Sequence, residues 1–437
     1  MSPKAKVSAI LDSEIRHLIG LTQDLVRIPS VNPKFETGPG LNRESDVQAR
    51  LQTELVELGF DCMIDEVFPG RPNLVARSDG SDARSLVLNG HVDVVPTGDV
   101  GGWTVDPFGG EVRDGRVHGR GAVDMKGGIA AAVAALRALK LAGITLEGWV
   151  DLHTVVDEEA GGFGSIQAVR TARHPSAAVI MEPTWGAVMP AEGGLDWVRV
   201  TIRGRSGHSA WRYNEVYPQP HLPDRLTPAV NAIELGTRFM TALTEFERGR
   251  ARRLWHPLLP PGVNSINPGA VFAGAGLLPN GLPATVTNPA IIPDVFVADL
   301  DYKFLPQEKT AEVRAEFEAF VHHFAQTDAW LRDNPPLVQW NLYGLHFPPM
   351  NTDVDHPLVQ GLVDNLQTVA GAAPLRGFEA VCDGAHYAGE GIPCAIFGPT
   401  GAGLHGTDEY VTVDSLLTTA KVLASTMIDY CGVRSGQ

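Results

Sequence analysis

Apolar residues at Ile15, Leu18, Leu21 and Leu25 keep helical spacing, and with Ser13 as cap they predict a helix over Glu14–Arg27. A second amphipathic helix is expected over Glu44–Leu58. Four short apolar runs, Asn73–Ala76, Ser85–Leu88, Trp149–Val156 and Ala177–Ile180, read as buried strands. An alanine-rich helix over Gly128–Leu141 falls among them. Buried strands separated by helices imply an α/β sheet covered on both faces.

The pattern changes after Gly193-Gly194. Trp197–Ile202 alternates like a strand, Thr227–Phe246 is helical, Val295–Phe304 alternates again, Glu308–Phe324 is helical and Leu337–Leu342 is a further strand. Strand, helix, two strands, helix, strand is the order of a ferredoxin-like α+β unit. Proline-rich stretches at Tyr217–Pro228 and Pro257–Pro268 read as irregular loops. The α/β texture then returns, with a helix over Leu358–Val369 and a buried strand at Cys394–Phe397. The organisation expected is a catalytic domain in two segments, 1–191 and 346–437, around an inserted domain at 192–345.

Composition narrows the function. A chain of 437 residues exceeds one ordinary core, so two domains are the default. The formal charge of −16 argues against nucleic acid or an anionic membrane as partner, since both need basic patches. Cys62, Cys382, Cys394 and Cys431 are scattered without a C-x-x-C pair, which suits reduced thiols. With neither a signal-like apolar stretch at the start nor a run long enough to span a bilayer, a cytoplasmic location is expected.

Five segments carry the candidate chemistry. A buried strand ends at Gly90-His91, and Asp93, two residues on, shares its face and can fix the imidazole tautomer. Asp124 sits in Gly119-Arg-Gly-Ala-Val-Asp-Met-Lys-Gly-Gly, either as a helix cap or as a ligand. Another strand runs into Asp157-Glu158-Glu159, three carboxylates that repel one another unless cations compensate. Glu182 ends the strand before Pro183, and His405 lies in a glycine-rich loop. Alone, each signal is weak: His91 reads more readily as a solvated turn and Asp124 as a cap, the acidic run is an exposed turn as readily as a site, and a lone loop histidine is usually only that. Jointly, two histidines and three carboxylates at strand ends suit two zinc ions sharing one bridging carboxylate.

The order His-x-Asp, Gly-Arg-Gly-x-x-Asp-Met-Lys-Gly, Glu-Glu, Glu-Pro-Thr and finally His with Asp-Glu following resembles the dinuclear zinc metallopeptidase and deacylase family. Acetylornithine deacetylase, succinyl-diaminopimelate desuccinylase, aminoacylases and bacterial glutamate carboxypeptidases belong to it. The resemblance implies a mixed-sheet catalytic domain with an inserted lid and dimerisation domain, hence a homodimer. It implies two divalent ions, zinc first and cobalt or manganese otherwise, with Asp124 bridging. His91 and Glu182 would complete one site, and Glu159 with His405 the other. Asp93 would orient His91, and Glu158 would deprotonate the attacking water and protonate the leaving amine. His208, in Arg205-Ser-Gly-His-Ser, would reach the neighbouring subunit's site and bond the tetrahedral intermediate.

The sequence departs from that family at the substrate carboxylate clamp. Where relatives carry an Asn-x-x-Pro turn and a following arginine, this chain has Ala290-Ile-Ile-Pro and Lys303. An ammonium cannot form the paired bonds of a guanidinium. Asn288 lies nearby, but its spacing is off by two. The aromatic and proline-rich stretch Trp211–Arg225 either shapes a pocket or subunit contact or is a surface loop. The expected reaction is therefore hydrolysis of a small amide, with an N-acyl amino acid as leading substrate. A formamide on an arylamine or heterocycle is the alternative, followed by a dipeptide or carboxypeptidase substrate. A noncatalytic binding protein would have lost a ligand or the base, and none is missing.

Overall fold

The computed structural model describes residues 1–211 and 229–434. The chain divides into two compact units, Met1–Glu192 with Met350–Gln437, and Gly193–Pro349 between them.

The first unit is built on a nine-stranded mixed sheet. In spatial order its strands are Asp61–Phe68, Arg71–Arg77, Gly148–Val155, Ser81–His91, Ala177–Ile180, Cys394–Ile396, Val188–Glu192 and Met350–Asn351, with Leu375–Phe378 also pairing Val188–Glu192. Ser81–His91 is parallel to both Gly148–Val155 and Ala177–Ile180, so the carboxyl ends of these three strands share one edge. Alternation along Ser81–His91 sends Leu86 and Leu88 into one core and Val87 into another. The first core takes the helices Pro3–Ser13, Ile15–Val26, Glu44–Glu57, Gly127–Leu141, Pro357–Ala370 and Val413–Cys431. The second gathers Trp149, Met350, Tyr387 and Cys394 on the opposite face. A sheet covered on both sides is why these strands read as unbroken apolar runs.

The N-terminal helix differs from expectation. Two helices, Pro3–Ser13 and Ile15–Val26, meet at Glu14. Ser13 does not cap the second; its hydroxyl donates back to Ile10 O at 2.8 Å, and Ser2 caps the first. The hydrophobic spacing was sound, but a serine between two helices serves the end of one as readily as the start of the next.

In the second unit the strands Ile266–Leu277, Val295–Phe304, Gly194–Arg203 and Leu337–Gln339 lie in that spatial order, all antiparallel. With helices Ala232–Arg253 and Thr310–Gln326 between them in sequence, this is ferredoxin-like topology. The helices cover one face through Phe239, Phe317, Phe296, Leu300 and Tyr302. The strand expected over Leu337–Leu342 ends at Gln339, before the turn Leu342–Gly344. The helix expected from Thr227 begins at Ala232, and Pro257–Pro268 already enters a strand at Ile266. Residues 217–228, and nearly all of Trp211–Arg225, lie outside the described residues. None of the described helices is long and apolar enough to cross a membrane.

Candidate metal centre

The three parallel strands deliver the site to one edge, where open α/β sheets place their chemistry. His91 is the last residue of its strand, Glu158 and Glu159 follow Gly148–Val155, and Glu182 follows Ala177–Ile180. Asp124 precedes the helix Gly127–Leu141 in a kinked segment containing a cis Asp124–Met125 peptide bond. Gly128 lets that helix approach the sheet: a Cβ there would stand 2.2 Å from Met181 O, beside Glu182. His405, at φ 56°, comes from the loop between the short strands Gly401–Ala402 and Tyr410–Thr412.

All five residues converge. His91 Nε2 lies 3.1 Å from Asp124 Oδ1 and 3.4 Å from Glu182 Oε1. His405 Nε2 lies 3.3 Å from Asp124 Oδ2 and 3.1 Å from Glu159 Oε2. Asp124 thus turns one oxygen to each histidine. Glu158 Oε2 stands farther from His91 Nε2, at 3.9 Å. His91 groups with Asp124 and Glu159, and again with Glu158 and Glu182, within ligand-to-ligand range of a metal ion.

These residues fit divalent ions. Donors about 2.0–2.1 Å from a tetrahedral zinc stand about 3.3–3.4 Å from one another, close to the four separations above. The electrostatics agree. Burial pushes Glu182 up to about 7, helped by the charge on Asp124, and it raises Glu159 and Glu158 as well. Burial alone would raise Asp124 too, but its bonds to His405 and His91 hold it well below the ordinary carboxylate range. Its bonds to Asp124 and Glu159 push His405 up to about 10. The four carboxylates Asp124, Glu158, Glu159 and Glu182 outnumber the two histidines, and divalent cations bound between histidine and carboxylate would supply the remaining countercharge.

Asp93 departs from its expected role. His91 Nδ1 meets the main-chain carbonyl of Asp93 at 2.9 Å, whereas the nearer carboxylate oxygen is 3.8 Å away. That carboxylate instead accepts from Glu158 N at 3.1 Å and Glu159 N at 3.3 Å. Asp93 therefore orients the imidazole through its backbone and fixes the glutamate turn through its side chain.

A supporting network went unread in the sequence. Buried Asn32 donates to Asp93 Oδ2 at 2.7 Å and to Asp157 Oδ1 at 3.1 Å. Asp157, at φ 71°, also takes Lys34 Nζ at 2.6 Å and Arg71 Nη1 at 3.0 Å. Besides Asp93, only Asp157 left a signal, as the first of three adjacent carboxylates; Asn32, Lys34 and Arg71 are remote in sequence.

The remaining expected residues belong to the second unit. His208 pairs with Ile291 in a short antiparallel ladder, and Ser209 N donates to Ala290 O at 2.8 Å. Asn288 Oδ1 accepts from Ala290 N at 3.0 Å, so the amide oxygen closes its own turn. Lys303 alternates with Tyr302 and Phe304, which enter the helix-covered core, and so lies on the opposite face with Asp299 and Asp301.

Comparison with known proteins places this geometry. Residues 87–429 match peptidase family M20/M25/M40. N-formyl-4-amino-5-aminomethyl-2-methylpyrimidine deformylase of Bacillus subtilis (strain 168) is 29% identical over 95% of this chain and 96% of its own. A succinyl-diaminopimelate desuccinylase of Gluconacetobacter diazotrophicus is 32% identical over 93% and 94%. Among solved structures, aminopeptidase PepT of Bacillus cereus shares the fold, with TM-score 0.69, 19% identity and coverage of 95% and 98%. The chain belongs to peptidase family M20/M25/M40 and is a metal-dependent hydrolase of amide C–N bonds.

Proposed function

We propose that the protein removes a formyl group, or a comparably small acyl group, from the aminomethyl arm of a small nitrogen heterocycle, using two divalent ions. The observation that carries the substrate reading is likeness along almost the whole chain to two formyl-aminopyrimidine deformylases, at 29% and 28% identity. Ala290 and Lys303, in place of a carboxylate-gripping asparagine and arginine, support it, because a formamide on a heterocycle has no carboxylate to hold. A second reading, deacylation of an N-succinyl or N-acetyl amino acid, rests on the 32% identity to a desuccinylase.

His91, Asp124 and Glu182 would hold one ion and Asp124, Glu159 and His405 the other, with zinc favoured over cobalt or manganese. When bound, such ions supply Lewis acidity that polarises a carbonyl and lowers the pKa of water. Glu158 takes the proton of the attacking water and passes it to the departing amine. Asp93 keeps that carboxyl aimed by holding Glu158 N and Glu159 N. The inserted unit serves as lid and as homodimer contact, and His208 donates a hydrogen bond to the oxyanion in the partner's site. A cytoplasmic small-molecule hydrolase without nucleic-acid or membrane partners fits the acidic composition.

The test is a substrate panel on metal-loaded protein. It compares an N-formyl aminomethylpyrimidine, N-succinyl-diaminopimelate, N-acetylornithine and a dipeptide. The formamide should lead in kcat/KM by at least about 100-fold, the discrimination expected where one substrate's polar groups find no partners. Faster turnover of the succinyl substrate would establish the second reading instead.

A further inference from the structure

Arg120 and Glu409 are both 1% exposed and bonded to each other, Nη1 to Oε2 at 2.6 Å. Neither touches the expected ligand atoms. Each, however, grips the segment that bears one ligand. Glu409 accepts from Gly121 N at 3.0 Å, Val123 N at 3.0 Å and Asp124 N at 3.2 Å. Arg120 donates through Nη2 to Gly406 O at 2.9 Å, next to His405, and to Pro96 O at 3.1 Å. Gly119 N also donates to Glu409 O at 2.8 Å, continuing the ladder between Arg116–His118 and Tyr410–Thr412.

The His405 side chain is 58% exposed, so packing does little to fix it, and its backbone has positive φ. Its position depends on the tether of its loop. A second tie runs from Asp408 Oδ1 to Thr104 N at 2.7 Å, but it holds the outer side of the loop to a different segment. Beside the backbone ladder, the Arg120–Glu409 pair joins the stretch before Asp124 to the stretch after His405 through buried side chains.

We propose that Arg120 and Glu409 are positioning residues: a buried clamp that sets the separation of Asp124 and His405 and thereby the affinity of one ion of the pair. The inference rests on the two-ion reading above. Groups behind ligands commonly change metal affinity ten- to hundredfold, and a clamp joining two ligand segments acts at that level.

The experiment titrates metal-free full-length protein with Co2+, reading visible absorption together with bound metal per chain and near-UV circular dichroism. Glu409→Gln should keep one ion at wild-type affinity and bind the other ten- to hundredfold more weakly, with folded-state dichroism. Arg120→Lys should shift the same ion in the same direction. His405→Ala should lose that ion, and adding Glu409→Gln to it should weaken the remaining ion no further. Wild-type affinity for both ions in folded Glu409→Gln overturns the clamp, as does equal weakening of both. If Glu409→Gln does not fold, Arg120→Lys decides, because it keeps the charge and loses the paired grip. A wild-type chain that takes up one ion overturns the two-ion reading; the clamp is then judged on that ion, and unchanged affinity in the variants refutes it.

Discussion

Replacing Asn32 by alanine isolates the bond that joins two buried carboxylates. One amide nitrogen donates to Asp93 at 2.7 Å and to Asp157 at 3.1 Å, and the amide oxygen accepts from Lys34 N at 3.0 Å. Hydrogen bonds to charged groups contribute about 1.5–3 kcal/mol each. Asp157 keeps Lys34 and Arg71, so its loss is the smaller. Asp93 keeps two backbone donors but faces Asp157 without the amide between them. The sum is about 3–4 kcal/mol, a large fraction of an ordinary stability of about 5–15 kcal/mol. Because a chain with two compact units need not unfold in one step, the assay is hydrogen exchange across a urea series. Peptides from Gly148–Val155 report the central sheet of the first unit. Faster exchange at Glu158 and Glu159 should accompany the loss, since Asp93 holds both amides. A change below about 1 kcal/mol would refute the reasoning, because the deleted bonds would then be worth less than a neutral pair. Asn32→Asp, which adds a third carboxylate, should be worse at neutral pH and recover in acid.

Three further outcomes are expected. Glu158→Gln should lower kcat by at least about a thousandfold while metal content is unchanged, consistent with loss of a general base; retained turnover would remove Glu158 from that role. His208→Ala should reduce kcat well before it alters metal binding, and an emptied metal site would contradict its assignment to the lid. The metal-free protein should resist urea better at pH 5.5 than at pH 8, and divalent metal should erase the difference. The sign follows from Glu182, whose carboxyl is raised by burial and by Asp124 from 4.5 to about 7. Its contribution is complete below the unfolded value and is lost as pH rises through the folded one. Glu44, raised to about 7 by burial, acts in the same direction. Asp124, held low by His405 and His91, acts oppositely but only in stronger acid.

The sequence disclosed what repeats or ends abruptly. Apolar runs located the sheet because both of its faces are buried, and the ferredoxin-like order emerged from alternation at Trp197–Ile202 and Val295–Phe304. His91, the Asp157–Glu159 run and Glu182 stood out because each follows a strand immediately. Glu409 and Arg120 lie within the glycine-rich motifs around Asp124 and His405, but nothing local says that residues 289 positions apart share a buried bond. Asn32 was silent for the same reason. Asp93 was legible as a residue and misread in its contacts: spacing fixes which face a side chain takes, whereas its partners depend on the turn packed opposite.

The path of the chain through the first unit bears on when this protein acquires its metal. Cys394–Ile396 inserts between Ala177–Ile180 and Val188–Glu192, strands made more than 200 residues earlier. His405 follows that strand, whereas the other four expected ligands precede Gly193. During synthesis, a nascent chain would carry four of the five donors for the whole time the intervening unit is being made. Closing so long a loop is slow, so the set of five expected donors would be complete only once the final strand docks. A pocket completed that late would let the finished geometry, rather than the first cation encountered, decide which metal is kept.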